Sequence, residues 1–128
     1  MRASGTVSFD RDAFRVRIGV EDPAYSDTAP LWKGGCGVLV NLVLPPSLED
    51  YESRRYFSLG FQEVEGEPSA VLIGRHGQVE LQPLPEVEPV VEREGAGVRY
   101  DVAIPWSVFA PYAPPLDQDL GLNLFYLG

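Results

Sequence analysis

Apolar and polar residues alternate with a period of two along most of this chain. In Phe14-Arg15-Val16-Arg17-Ile18-Gly19-Val20 every second side chain is apolar, which is the signature of a strand with one buried face. Val98, Tyr100, Val102 and Ile104 repeat the pattern, as do Phe57, Leu59 and Phe61, and Leu120, Leu122, Leu124 and Tyr126. Val38 to Leu44 is apolar on both faces except at Asn41, as expected of a strand in a sheet interior. Further strands are predicted over 4–9, 70–73 and 78–81, and an edge strand or bulge over 87–93, where Val90-Val91 breaks the alternation next to Pro89.

Turn signals separate these runs. Asp10-Arg11-Asp12, Glu65-Gly66-Glu67-Pro68, Gly74-Arg75-His76-Gly77 and Glu94-Gly95-Ala96-Gly97 read as tight connections. Pro45-Pro46 and Pro105 end strands because proline has no amide hydrogen to donate to a ladder. Residues 47–54 and 107–110 have room for single helical turns, and no stretch sustains a helical period. Nine short strands predict an all-β chain, a two-sheet antiparallel β-sandwich of the jelly-roll or immunoglobulin-like kind, forming one domain over residues 1–128.

Composition narrows the function classes. The 128 residues include 13 glycines and 12 prolines, in keeping with many turns, and carry a formal net charge of -9. Such an acidic chain repels phosphate backbones and anionic lipid, so neither nucleic acid nor a membrane surface is an expected partner. Cys36 is the single cysteine, which rules out an intramolecular disulfide and a thiolate metal cluster. The first residues lack the apolar run of a signal peptide, and no stretch is apolar for long enough to span a bilayer as a helix. No Ser sits in a nucleophile elbow, no Gly-rich loop opens a helix, and neither His76 nor Cys36 lies in a catalytic motif, so an enzyme is not expected.

The segment Tyr100-Asp101-Val102-Ala103-Ile104-Pro105-Trp106-Ser107, followed by a loop and Leu120-Gly121-Leu122-Asn123, resembles the C-terminal half of the family 9 carbohydrate-binding modules and their DOMON-like relatives. Phe14 to Pro23 resembles that family's strand ending in an aspartate. Leu31-Trp32-Lys33-Gly34-Gly35 resembles its Trp-x-Gly-Asp element, with Gly35 where the family carries an acid. The likeness spans roughly residues 5 to 127 and rests on the order of the three pieces. It implies a shortened, non-catalytic carbohydrate-binding module of an extracytoplasmic protein, with a mono- or oligosaccharide as ligand.

Stacking a pyranose requires an exposed aromatic ring, with polar side chains nearby for its hydroxyl groups. Trp32 lies in the long loop between the second and third predicted strands, near Tyr25, Asp22 and Asp27, and these four form the expected binding site. The alternative for Trp32 is a ring that plugs one end of the core. Trp106, directly after Ile104-Pro105, is expected inside the core. Asp22, Asp27, Asp117 and Asp119 in predicted loops offer hard oxygen ligands for calcium, although they lack EF-hand spacing and loop aspartates commonly cap turns. Arg15 and Arg17 are expected on a solvated strand face. A second functional class is a ligand-free interaction domain that pairs through its last strand, Leu120–Leu127, with another chain, including a second copy of itself. Haem ligation of the DOMON kind is disfavoured by a single His and a single Met.

Overall fold

The computed structural model describes residues 2–44, 55–76, 78–110 and 121–128. Nine strands form two antiparallel sheets: β1 (Arg2–Phe9), β2 (Ala13–Glu21), β3 (Gly37–Leu44), β4 (Arg55–Val64), β5 (Glu67–Arg75), β6 (Gln78–Pro83), β7 (Val90–Glu94), β8 (Gly97–Pro105) and β9 (Gly121–Leu127). The first sheet has the order β1-β2-β8-β7 and the second β6-β5-β4-β3-β9. The all-β sandwich expected from the alternation is what the chain adopts. The described part of the final strand is Gly121–Leu127, and both Leu120, its expected start, and the helical turn expected over 47–54 lie outside the described residues.

The alternating apolar residues meet between the sheets. Phe14, Val16, Ile18 and Val20 of β2 face inward beside Val98, Tyr100, Val102 and Ile104 of β8, all buried. Across from them stand Val38, Val40 and Leu42 of β3, in register with Phe61, Leu59 and Phe57 of β4. β3 lies inside its sheet, between β4 and β9, with its inner face buried and its outer Leu39, Asn41 and Val43 half-buried. The β7 strand is an edge, as its broken alternation implies, and it forms the expected hairpin with β8.

Trp106 seals one end of this core. Its ring is 6% exposed, lies 5.7 Å from Phe109 and 6.3 Å from Phe14, and donates its indole N–H to the Asp10 carbonyl at 2.7 Å. Asp10 also holds the β1–β2 turn, where Oδ1 accepts the amides of Asp12 and Ala13. These two backbone bonds favour the ionised carboxyl and hold its pKa below the usual carboxylate value. The helical turn after Pro105 is a 3-10 turn, Trp106–Phe109, that points Trp106 and Phe109 into the core.

The flank formed by β1 and β9 is less covered. Every residue of β1 is exposed, including the inward-facing Val7 and Phe9, and Leu122, Leu124 and Tyr126 of β9 are only partly buried against the core.

Candidate functional site

The loop between β2 and β3 crosses from the first sheet to the second and carries all four residues expected to bind ligand. Asp22 closes β2 and is buried, 7% exposed. Its Oδ1 accepts the Ala24 amide at 2.9 Å and its Oδ2 accepts the Tyr126 hydroxyl at 2.7 Å. Asp27 caps the β4–β5 turn: its carbonyl accepts the Glu65 amide at 2.7 Å and its Oδ2 the Gly66 amide at 2.9 Å. That turn needs such support because Glu65 and Gly66 both have positive φ, 51° and 80°.

Arg93 of β7 ties the loop further. Its Nη2 lies 3.2 Å from Asp27 and 2.9 Å from Glu63, and its guanidinium sits 4.8 Å from the centre of the Tyr25 ring. The Tyr25 hydroxyl donates to Glu63 Oε1 at 3.2 Å. Burial, with help from the Glu63 carboxylate, pushes the Tyr25 pKa up to about 12. Beneath this network Tyr100 Oη is shielded from solvent, and burial first, then the neighbouring Tyr25 hydroxyl, raises its pKa strongly. Tyr126 is raised first by burial and then by its bond to Asp22.

The structure therefore brings Asp22, Tyr25 and Asp27 to one end of the sandwich, where each is bound to a protein group. Trp32 shares none of these hydrogen bonds or ion pairs. It lies in a 3-10 turn, Leu31–Lys33, and is 45% exposed, so it does not plug the core. The adjacent Leu31 is the anchor: it is buried against the second sheet's outer face, where Gly37 and Gly60 leave room for its methyl groups, and its amide donates to the buried Gln62 side chain at 2.7 Å. No group of three or more His, Cys, Asp or Glu side chains among the described residues could hold a metal ion. Asp22 and Asp27 are turned to Tyr126 and Arg93, and Asp117 and Asp119 lie outside the described residues.

A different surface gathers unused polar groups. On the outer face of the second sheet, strand register sets Gly74, Ser58, Asn41 and Asn123 side by side across β5, β4, β3 and β9. Ser58 Oγ donates to Asn41 Oδ1 at 2.7 Å. Tyr56, 38% exposed, flanks this row, and the β5–β6 turn with Arg75 and His76 stands over one end. The His76 amide donates to the Tyr56 carbonyl at 2.8 Å, which fixes that turn to β4. The resulting groove encloses about 680 Å³. Ladder irregularities between Ser58 and Leu59 and between Leu72 and Gly74 bend β5 and re-aim its side chains at this point.

Two hollows on the first sheet's outer face are more highly charged. One of about 500 Å³ is lined by Glu21, Glu92 and Glu94 with Arg2, Arg93 and Arg99, and one of about 400 Å³ by Arg15, Arg17, Glu88 and Asp101. Ion pairs hold Arg17 to Asp101 and Arg99 to Glu92 across strands, Arg99 also to Asp101 within β8, and Arg15 to Asp10 of the β1–β2 turn. Arg15 and Arg17 lie on the solvated face expected of them, both exposed and both ion-paired.

Asn41, Ser58 and Asn123 escape a reading of the sequence because only strand pairing makes them neighbours. The available signal was Asn41 itself, the one polar residue in an otherwise apolar strand. No family model, no curated protein and no solved structure matches this chain.

Proposed function

We propose that the chain is a non-catalytic binding module for a mono- or oligosaccharide, and that the sugar occupies the groove on the outer face of the second sheet. The observation that carries this reading is the row of Ser58, Asn41 and Asn123 across three adjacent strands, with Tyr56 beside it. Carboxamides both donate and accept hydrogen bonds, as sugar hydroxyls do, and an exposed phenol ring gives the apolar C–H face of a pyranose a surface to stack on. The groove also falls within the roughly 300–1,000 Å³ typical of small-molecule sites. The resemblance to family 9 carbohydrate-binding modules points to the same ligand class, but through Trp32.

Titration of the isotope-labelled protein with a panel of mono- and oligosaccharides, followed by amide chemical shifts, tests the proposal. Tyr56→Ala and Asn123→Ala should each weaken binding at least about tenfold, or roughly 1.4 kcal/mol, while Trp32→Ala leaves it intact. The opposite pattern would move the site to the loop of Asp22, Tyr25, Asp27 and Trp32. If no sugar perturbs the spectrum at millimolar concentration, the carbohydrate reading fails.

One observation favours a second reading, an interaction domain that pairs through its last strand. The β9 strand is the edge of the second sheet, and its outward-facing Phe125 and Leu127 are 46% and 42% exposed, an arrangement suited to strand addition. Sedimentation of the parent and of Phe125→Lys tests pairing with a second copy: a concentration-dependent dimer that the lysine abolishes supports it, and a monomer at all concentrations removes self-pairing.

A further inference from the structure

We infer that two copies of the chain pair antiparallel through β9, centred on Leu124, and that each sugar groove is shared, its open end closed by Phe125 of the second copy. The inference rests on both readings above, a sugar in the groove and pairing through the last strand, and joins them in one site.

The four sheet edges are the first argument. An exposed edge is ordinarily protected by charge, proline or a bulge. β7 carries Glu92, Arg93 and Glu94. β6 carries Glu80, ends on Pro83 and has a broken register, and β1 carries Arg2 and three hydroxyl side chains. β9 has none of these devices: Gly121 to Leu127 contains no charge and no proline, and its register with β3 is unbroken. Its outward Phe125 and Leu127 are exposed, and its inward Leu122, Leu124 and Tyr126 are only half-buried. Val7 and Phe9 are exposed on β1, the other edge of the same flank. A strand laid along β9 covers its outward and inward residues at once.

The order of residues in β9 is the second argument, and it selects a second copy as that strand. Antiparallel pairing about Leu124 engages all seven residues of β9. It sets Leu127 opposite Gly121, Tyr126 opposite Leu122 and Phe125 opposite Asn123, so each larger side chain meets a smaller one. Seven residues measure roughly 24 Å, and a flank two sheets thick is about 20 Å deep, which gives an interface of about 1,000 Å² over both copies, the lower bound for a specific one.

The groove is the third argument. Gly121, Leu122 and Asn123 form its wall on the β9 side, and no described strand lies beyond them. In the paired register those three face Leu127, Tyr126 and Phe125 of the second copy. Residues directly opposite in an antiparallel pair share a face, with Cβ atoms about 4.5–5.5 Å apart. The second copy's Phe125 ring therefore stands beside Asn123 at the end of the polar row and offers a sugar a second apolar surface after Tyr56. The chain's own Phe125 is paired with Leu39 and does not line the groove.

Complementation between variants tests the shared site. Sedimentation should show a dimer that forms with concentration and tightens as salt rises, because each copy carries a formal charge of -9 and the paired strand carries none. Leu124→Cys should yield an oxidised dimer. Leu122→Cys should not, since this register holds the two copies of residue 122 roughly 14 Å apart along the strands, beyond disulfide reach. Within the Leu124→Cys dimer, Asn123→Ala and Phe125→Ala should each weaken binding of cello-, xylo-, malto- or galacto-oligosaccharides about tenfold or more. An oxidised heterodimer of one Asn123→Ala copy and one Phe125→Ala copy, isolated by a tag on one of them, should regain the parental affinity at half of its sites. One of its grooves then has both side chains and the other has neither. A heterodimer as weak as the two homodimers overturns the shared site. A monomer under all conditions, or crosslinking through residue 122 and not 124, overturns the pairing. In these cases sugar binding by the parent leaves the carbohydrate reading standing. A linked dimer that binds none of the sugars overturns the inference together with that reading.

Discussion

Gly35 is where the chain departs from the family it resembles, and its surroundings predict what restoring the family's acid would do. A Cβ built on Gly35 would lie 1.9 Å from the Ala29 carbonyl oxygen and 2.8 Å from that of Pro30. Both obstacles are backbone, so no rotamer change relieves them. Gly35→Asp must displace the 3-10 turn, which the Gly35 amide itself helps to close by donating to the Pro30 carbonyl at 3.0 Å. The turn holds the buried Leu31 and its bond to Gln62. Exposing a leucine side chain costs roughly 1.5–3 kcal/mol, and leaving the buried Gln62 carbonyl unsatisfied about 1–3 kcal/mol more. A loss of about 3 kcal/mol, with a urea slope near 1.5 kcal/mol/M, lowers the unfolding midpoint by about 2 M. Urea denaturation followed by circular dichroism measures it, with Gly19→Ala as control, since a Cβ there meets nothing within 4 Å. A Gly35→Asp midpoint equal to that of the control would refute the argument that the missing acid is excluded by the loop's own packing.

Two further outcomes follow from the buried hydroxyl and indole groups. Tyr25, Tyr100 and Tyr126 all hold their protons more tightly when folded; the unfolded chain releases them near pH 10, so their stabilising contribution is complete below about pH 10 and is lost as pH rises toward 12 and beyond. Denaturation series between pH 8 and 11.5 should show a steepening loss, and Tyr126→Phe should flatten it. Trp106→Phe removes the 2.7 Å bond to the Asp10 carbonyl and part of the ring packing, and should cost about 2–4 kcal/mol, read as a lowered urea midpoint; a cost below about 1 kcal/mol would mean the indole is not a seal of the core.

The fold was legible because alternation survives on strands that are buried on one face. Phe14 to Val20 and Val98 to Ile104 point inward as their period requires. Trp106 was legible for the same reason, as the first large ring after a strand stop. The loop was harder to read. Asp22 and Asp27 look like ligand-binding residues in a polar loop, yet their partners, Tyr126 of β9 and the Gly66 amide of the β4–β5 turn, are distant in sequence. Arg93 on the edge strand β7 and Glu63 near the end of β4 were equally invisible, since charged residues at strand edges and ends read as solvated until the loop is laid across them. The groove depends on register, and register cannot be read from the spacing of residues within one strand.

The pairing of Asn41 with Asn123 also ties the proposed binding row to folding. β3 to β6 form a meander whose neighbours in space are neighbours in sequence, so it can assemble from local contacts. The side-chain row on its outer face is still incomplete at that stage. It gains its last member only when β9, which follows the whole of the first sheet's β7–β8 hairpin in sequence, docks along β3. A molecule that binds the finished row therefore binds only the finished sheet, and by mass action holds β9 in place. If the proposed ligand binds this row, its recognition and the closure of the sandwich become a single equilibrium.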